Sequence, residues 1–166
     1  YNQAAEKFVD TYQSNLGIGF NYLRQQKPLL FTADYGIYWF DYLAGYDAVL
    51  AEFGWNNTIA QKIASVRGTA TLQNKSWGAM LTWKYTEAPY LASEEENYNQ
   101  MKTAYECGAK YITIFNYPTL PDNSFGILQE EHFDALERFL NEVVQNLNIT
   151  QGNIQAEAAL IFPNNY

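Results

Sequence analysis

Four short apolar runs, at 29–33, 48–53, 77–83 and 110–115, are each followed by a stretch with helical spacing, and they constrain this 166-residue chain more than any other feature. The runs are rich in aromatic and β-branched residues and nearly continuous in hydrophobicity. Strands buried on both faces read this way, whereas half-solvated strands alternate. Strand and helix in regular succession predict an α/β fold with a parallel sheet and right-handed crossovers.

The segments between the runs carry helix-end chemistry. Asn57 or Thr58 is placed to cap a helix whose Ile59, Ile63 and Val66 share one face, with Gly68 as its left-handed end. Ser93 and Glu96 have capping-box spacing; Tyr98, Met101 and Tyr105 line the inner side of the helix they open, and Gly108 closes it. Residues 37–44 make a short helix ended by Gly45. After the fourth run, Phe133, Leu136, Leu140, Val143 and Leu147 define the longest helix. Residues 1–27 read as a helical segment interrupted near Gly17 and Gly19 and stopped by Lys27-Pro28. Residues 158–162 read as one more buried strand. Trp39 and Phe40 are assigned to the core, His132 to a structural or surface role, and Cys107 to a small buried apolar position.

Charge narrows the partners. Eighteen acidic against ten basic side chains leave a net charge of -8, which disfavours nucleic acid and anionic membrane. No run approaches the roughly 20 apolar residues of a bilayer span, so no membrane insertion is expected. One cysteine and one histidine exclude an internal disulfide and a zinc constellation, and neither metal nor cofactor is expected. Charged residues are only 17 %, while 16 Asn and 11 Gln supply polar surface, a balance suited to an extracellular or cell-surface setting. Three N-glycosylation sequons, at Asn56, Asn74 and Asn148, fit that setting.

Strand–helix units of this kind arrange either as an open doubly wound sheet or as half of an eight-unit barrel. The turn after the first run, Asp34-Tyr35-Gly36-Ile37, lacks the glycine-rich phosphate loop of a nucleotide-binding open sheet. The run ends carry acid and aromatic residues instead: Asp34-Tyr35, Glu52-Phe53-Gly54-Trp55, Trp83-Lys84-Tyr85-Thr86-Glu87 and Asn116-Tyr117-Pro118. In a βα architecture these ends face one way and build one site.

At these positions the chain resembles the carboxyl-terminal half of glycoside-hydrolase-like (β/α)8 barrels, particularly barrel proteins of archaeal cell surfaces. The resemblance rests on Tyr38-Trp39-Phe40-Asp41-Tyr42 with Gly45-Tyr46-Asp47, on Ala51-Glu52-Phe53-Gly54-Trp55-Asn56, and on Trp77-Gly78, Leu81-Thr82-Trp83 and Glu87-Ala88-Pro89-Tyr90. It implies that 28–150 are the fifth to eighth units of a TIM-type barrel. It also implies that 151–166, ending in Ala158-Ala159-Leu160-Ile161-Phe162-Pro163-Asn164-Asn165-Tyr166, begin a following domain.

Glycoside cleavage needs two carboxyls about 5–5.5 Å apart for retention, or about 6.5–9.5 Å for inversion, one protonating the leaving oxygen while the other attacks or activates water. Glu52 and Asp34, ending neighbouring strands, are the candidate catalytic pair. The candidate substrate-binding residues are Tyr35, Trp55, Trp83, Tyr85, Glu87 and Tyr117, since aromatic faces stack on sugar rings. The structural alternative for each acid is a helix cap or an ion pair, and for each ring a filled barrel top. Lys84 alternates away from Trp83, toward the helix layer. Two functions follow as expectations. One is an extracellular carbohydrate-binding, glycoside hydrolase-like protein acting on O-glycosidic bonds. The other is a non-catalytic surface scaffold or lattice glycoprotein that meets other surface proteins or a second copy of itself. An open-sheet binding domain is a third reading.

Overall fold

The computed structural model describes residues 2–26, 28–54, 58–82, 84, 91–116 and 125–161. Strands β1 (Phe31–Asp34), β2 (Ala48–Phe53), β3 (Ser76–Leu81) and β4 (Tyr111–Ile114) form one parallel sheet in the order β1-β2-β3-β4. Helix α1 (Asn2–Gln25) precedes them; α2 (Tyr38–Ala44), α3 (Ile59–Leu72) and α4 (Glu94–Glu106) fill the crossovers. Helix α5 (Glu130–Phe139) follows β4 and runs into a π-helical turn, Leu140–Val144. The chain is therefore α/β, as the four apolar runs predict.

The order decides how the sheet is wound. Each crossover advances one strand in the same direction, so right-handed connections put α2, α3 and α4 on one face. A doubly wound sheet reverses its strand order at a switch point, and these four strands contain none. Successive units of a barrel are wound in this single direction.

Val49, Ala51 and Phe53 of β2 and Trp77, Ala79 and Leu81 of β3 pack with Ile63, Val66, Met101, Ala104, Ala135, Phe139 and Val143 in one core. Side chains alternate across a strand, so Ala48, Leu50 and Glu52 point to the face without helices. On that face Gly78 pairs with Leu50, and a Cβ at Gly78 would run into the Leu50 side chain and the Tyr111 carbonyl.

Helix ends follow the expected chemistry at several places. Gly45 (φ 119°) and Gly108 (φ 96°) take the left-handed conformation that closes α2 and α4. The Ser93 hydroxyl accepts from the Glu96 amide, while the Glu96 carboxylate bonds Lys84 and Gln100. Lys84 thus faces the helix layer, and Cys107 is buried.

Four expectations are corrected. Helix α3 continues through Gly68 to Leu72, and the left-handed residue comes later, at Asn74 (φ 51°). Helix α1 runs unbroken through Gly17 and Gly19, since a mid-helix glycine costs only about 1 kcal/mol, and at 24 residues it is longer than α5. The buried face of the last helix is His132, Ala135, Phe139 and Val143, one position off the expected stripe, and Leu147 is 98 % exposed. Phe133 turns from the core to meet Phe125, and the π turn resets the register so that the two stripes coincide only at Val143. Finally, 158–161 form no strand: Leu160 and Ile161 are 80 % and 90 % exposed. The tail is held earlier, where the amides of Gly152 and Ile154 donate to Tyr105 O and Glu106 O at the end of α4.

Candidate functional site

The carboxyl ends of β1 and β2 gather the charged groups of interest. Asp34 closes β1, and its Oδ1 accepts from the amides of Gly36 (2.6 Å) and Ile37 (2.7 Å), which turns the chain into α2. It shapes the turn ahead of α2, whose N-cap, Ile37, receives no side-chain capping bond. Register pairs Asp34 with Ala51, so Asp34 leaves the sheet on the helix side. Glu52 pairs with Met80 on the opposite side. The two acids come from adjacent strands but from opposite pleat faces, so they can flank a common bond only by meeting over the strand ends.

Glu52 is half-buried, and its carboxylate makes no hydrogen bond or ion pair among the described residues, although its charge acts on Lys62 and Tyr38. Its backbone setting is tight, because a Cβ on the next-but-one residue, Gly54, would strike the Thr82 side chain, whose hydroxyl donates to Phe53 O (2.7 Å).

Lys62, in the first turn of α3, reaches over this rim. Its Nζ donates to Tyr35 O (2.6 Å) and sits 4.6 Å from the centre of the Tyr35 ring. The Tyr38 hydroxyl donates to the same carbonyl (3.1 Å). Lys62 is only 8 % exposed, and burial lowers its pKa while the charges of Glu52 and Asp34 hold it up. Burial raises the Tyr38 phenol, and the negative charges of Asp34, Glu52 and Asp41 add to that. Asp41, 1 % exposed in α2, is pushed up to about 7, first by burial and then by Asp34; a hydrogen bond from Tyr12 of α1 opposes this. Its Oδ2 has no hydrogen-bond partner.

Lys62 and Asp41 escape a reading that looks only for acids and rings at strand ends. Both nevertheless carry a signal. Lys62 lies at i+3 from Ile59 and four before Val66, inside the apolar stripe of α3; Asp41 lies at i+3 from Tyr38 and beside Tyr42, inside that of α2. A charged residue at a core position is the mark that separates them from surface charges.

Of the other expected site residues, Tyr35 is exposed at the rim. Trp55, Asn56, Trp83, Tyr85, Glu87 and Tyr117 lie outside the described residues. Asn74 and Asn148 are exposed, Asn74 in the turn between α3 and β3 at the end of the sheet opposite Glu52. A pocket of about 380 Å³ is lined by Phe125, Leu128, Gln129, Glu130 and Phe133 at the start of α5. It does not include Asp34, Glu52 or Lys62, and its chemistry is apolar, with the Phe125 and Phe133 rings 5.3 Å apart edge to face. Among the described residues no group of His, Cys, Asp and Glu is arranged to hold a metal ion, and no helix is long and apolar enough to cross a membrane.

No protein-family model, curated protein or solved structure matches the chain.

Proposed function

We propose that the chain is half of a (β/α)8 barrel in an extracellular, carbohydrate-binding, glycoside hydrolase-like protein, with Glu52 as its working acid. The observation that carries this reading is Glu52 itself. A half-buried carboxylate at the carboxyl end of a central parallel strand, on the face without helices and with no hydrogen-bond or ion-pair partner among the described residues, is poised for a ligand. The singly wound order β1-β2-β3-β4 supports the barrel. The Phe125–Phe133 pair offers the kind of apolar ring surface on which a sugar stacks. Glycan at Asn74 would stand clear of the Glu52 rim.

The test is hydrolysis of a glycan library by wild type, Glu52→Gln and Asp34→Asn. Loss of a general acid or base costs about 10²–10⁴-fold in rate, and that loss at Glu52 supports the reading; unchanged turnover in Glu52→Gln removes it. One observation favours a second reading, a surface scaffold that keeps the barrel without turnover. Asp34 is already committed to two backbone amides. A protein that binds glycans but cleaves none, with both variants binding as wild type does, selects the scaffold.

A further inference from the structure

An Asn-X-Ser/Thr sequon is read through its carboxamide and through the hydroxyl two residues on, so a transferase needs both groups, and the backbone between them, free to leave the protein surface. The two described sequons meet that need differently. In Asn148-Ile149-Thr150, just past the π-helical turn, Asn148 and Thr150 are exposed, and neither side chain makes a hydrogen bond among the described residues. The backbone bonds are local: the Asn148 and Ile149 amides donate to the side-chain and main-chain oxygens of Asn146 (both 3.0 Å), and the Asn153 amide donates to Thr150 O (3.2 Å). Ile149 alone of the three packs inward. Opening this turn parts no strand from its neighbour. In Asn74-Lys75-Ser76 the carboxamide is exposed too, but the other two residues are built into the sheet. Ser76 is the first residue of β3 and pairs with Ala48 of β2; its amide donates to Asp47 O (3.3 Å), and its carbonyl accepts from the Tyr42 hydroxyl of α2 (2.7 Å). The Lys75 amide donates to Ala70 O in the last turn of α3 (2.8 Å), and its Nζ meets Asp47 Oδ1 (3.4 Å). To present this sequon, the start of β3 must leave β2, α2 and α3 together.

We propose that Asn148 is an N-glycan acceptor in the folded chain, and that Asn74 is one only before β3 is laid against β2. The co-reactant is a polyprenyl-pyrophosphate-linked oligosaccharide, brought by an oligosaccharyl transferase. The Asn148 Nδ2 gives an electron pair to C1 of the first sugar, and the bond from C1 to the pyrophosphate oxygen breaks, its pair leaving with the lipid pyrophosphate. Nδ2 gives up one proton to a base of the transferase, and the product is an N-glycosyl amide with no change in oxidation state. Asn148 keeps its place in the turn throughout, since the reacting nitrogen makes no bond that the fold uses. This inference shares only the extracellular setting with the proposed function, and the two fail separately.

The test incubates the folded chain with a single-subunit oligosaccharyl transferase and its polyprenyl-pyrophosphate oligosaccharide, and peptide mass spectrometry reads the occupancy of Asn74 and Asn148 against time. Wild type is run beside Ser76→Thr, which gives both sequons a threonine hydroxyl. Synthetic peptides spanning 70–80, with the same change, and 144–154 report the rates without the fold. In both folded chains Asn148 is expected to fill at least about tenfold faster than Asn74, because only rare local opening frees the start of β3, whereas the two peptides should agree within about threefold. An unmodified Asn148 in the folded chain overturns the proposal. So does Asn74 filling as fast as Asn148 in folded Ser76→Thr, and so does a tenfold preference that persists in the peptides, where sequence and not fold would set it.

Discussion

The α4–α5 layer and the β1–β2 rim treat charge in opposite ways. Between α4 and α5, Arg138 reaches Glu95 (2.6 Å) and Glu142 (3.3 Å), approaches Glu94 (3.9 Å), and lies 3.9 Å over the Tyr98 ring. His132, fully buried, accepts from the Gln129 amide at Nδ1 (2.9 Å) and donates to Ala92 O from Nε2 (3.2 Å). At the rim, Asp41 keeps a buried unpartnered oxygen, Lys62 hydrogen-bonds a neutral carbonyl, and the Glu52 carboxylate has no hydrogen-bond or ion-pair partner among the described residues. Charge in the first region ties helices together. Charge in the second is held at a cost, and it is on this region that the proposed function rests.

Titrating Asp41 puts the largest strain on this contrast. Its carboxyl goes from an ordinary value of 3.8 to about 7 on folding. Between those values the folded chain holds a proton that the unfolded chain has lost, so stability falls as pH rises through the window and stays low above it. At about 1.4 kcal/mol per unit, the upper size of this loss is on the order of 4 kcal/mol. Asp41→Asn should abolish the slope and gain on wild type from about pH 4 to about pH 7; thermal denaturation across that range reads it, and parallel curves would break the contrast.

His132→Ala probes the paired region. It leaves a cavity and deprives the Gln129 amide of its acceptor, for an expected loss on the order of 3 kcal/mol by denaturant unfolding. Burial also lowers the wild-type imidazole below its ordinary 6.5. The unfolded chain therefore binds the proton first, and stability contributed by neutral His132 is lost as pH falls below about 6.5, a slope absent from the variant.

Asp34→Ala removes the two hydrogen bonds that shape the turn before α2 and should cost about 1 kcal/mol, with Asp34→Asn nearly neutral because its side-chain oxygen still accepts. Arg138→Ala should have the smallest effect. Its partners are well exposed, so the fall in melting temperature should be slight and should shrink further in concentrated salt.

The fold was readable where hydrophobicity is local and continuous. Residues 48–53 are both the expected and the observed β2, and the glycines at 45 and 108 close the helices whose ends they mark in the sequence. Errors arose where tertiary packing outweighs spacing. The 130–144 helix chose Ala135 and Phe139 over Leu136 and Leu140 because its partner is α4 and its register includes a π turn. Leu160 and Ile161 have strand composition but find no strand among the described residues to pair with. At the site, the strand-end rule located Asp34 and Glu52, while only the pairing register reveals that they leave opposite faces. Lys62 and Asp41 are charges inside apolar stripes, a signal that a search for acids and rings at strand ends passes over.

The proposed function has Glu52 left without a hydrogen-bond partner for a ligand and not for the fold. Its most direct test is to measure melting temperature and glycan-hydrolysis rate on the same preparations of wild type and Glu52→Gln. If Glu52 serves catalysis, the variant's rate is lower by about 10²–10⁴-fold with a melting temperature unchanged or raised. An equal rate together with a lowered melting temperature would contradict it, since Glu52 would then be serving the fold alone.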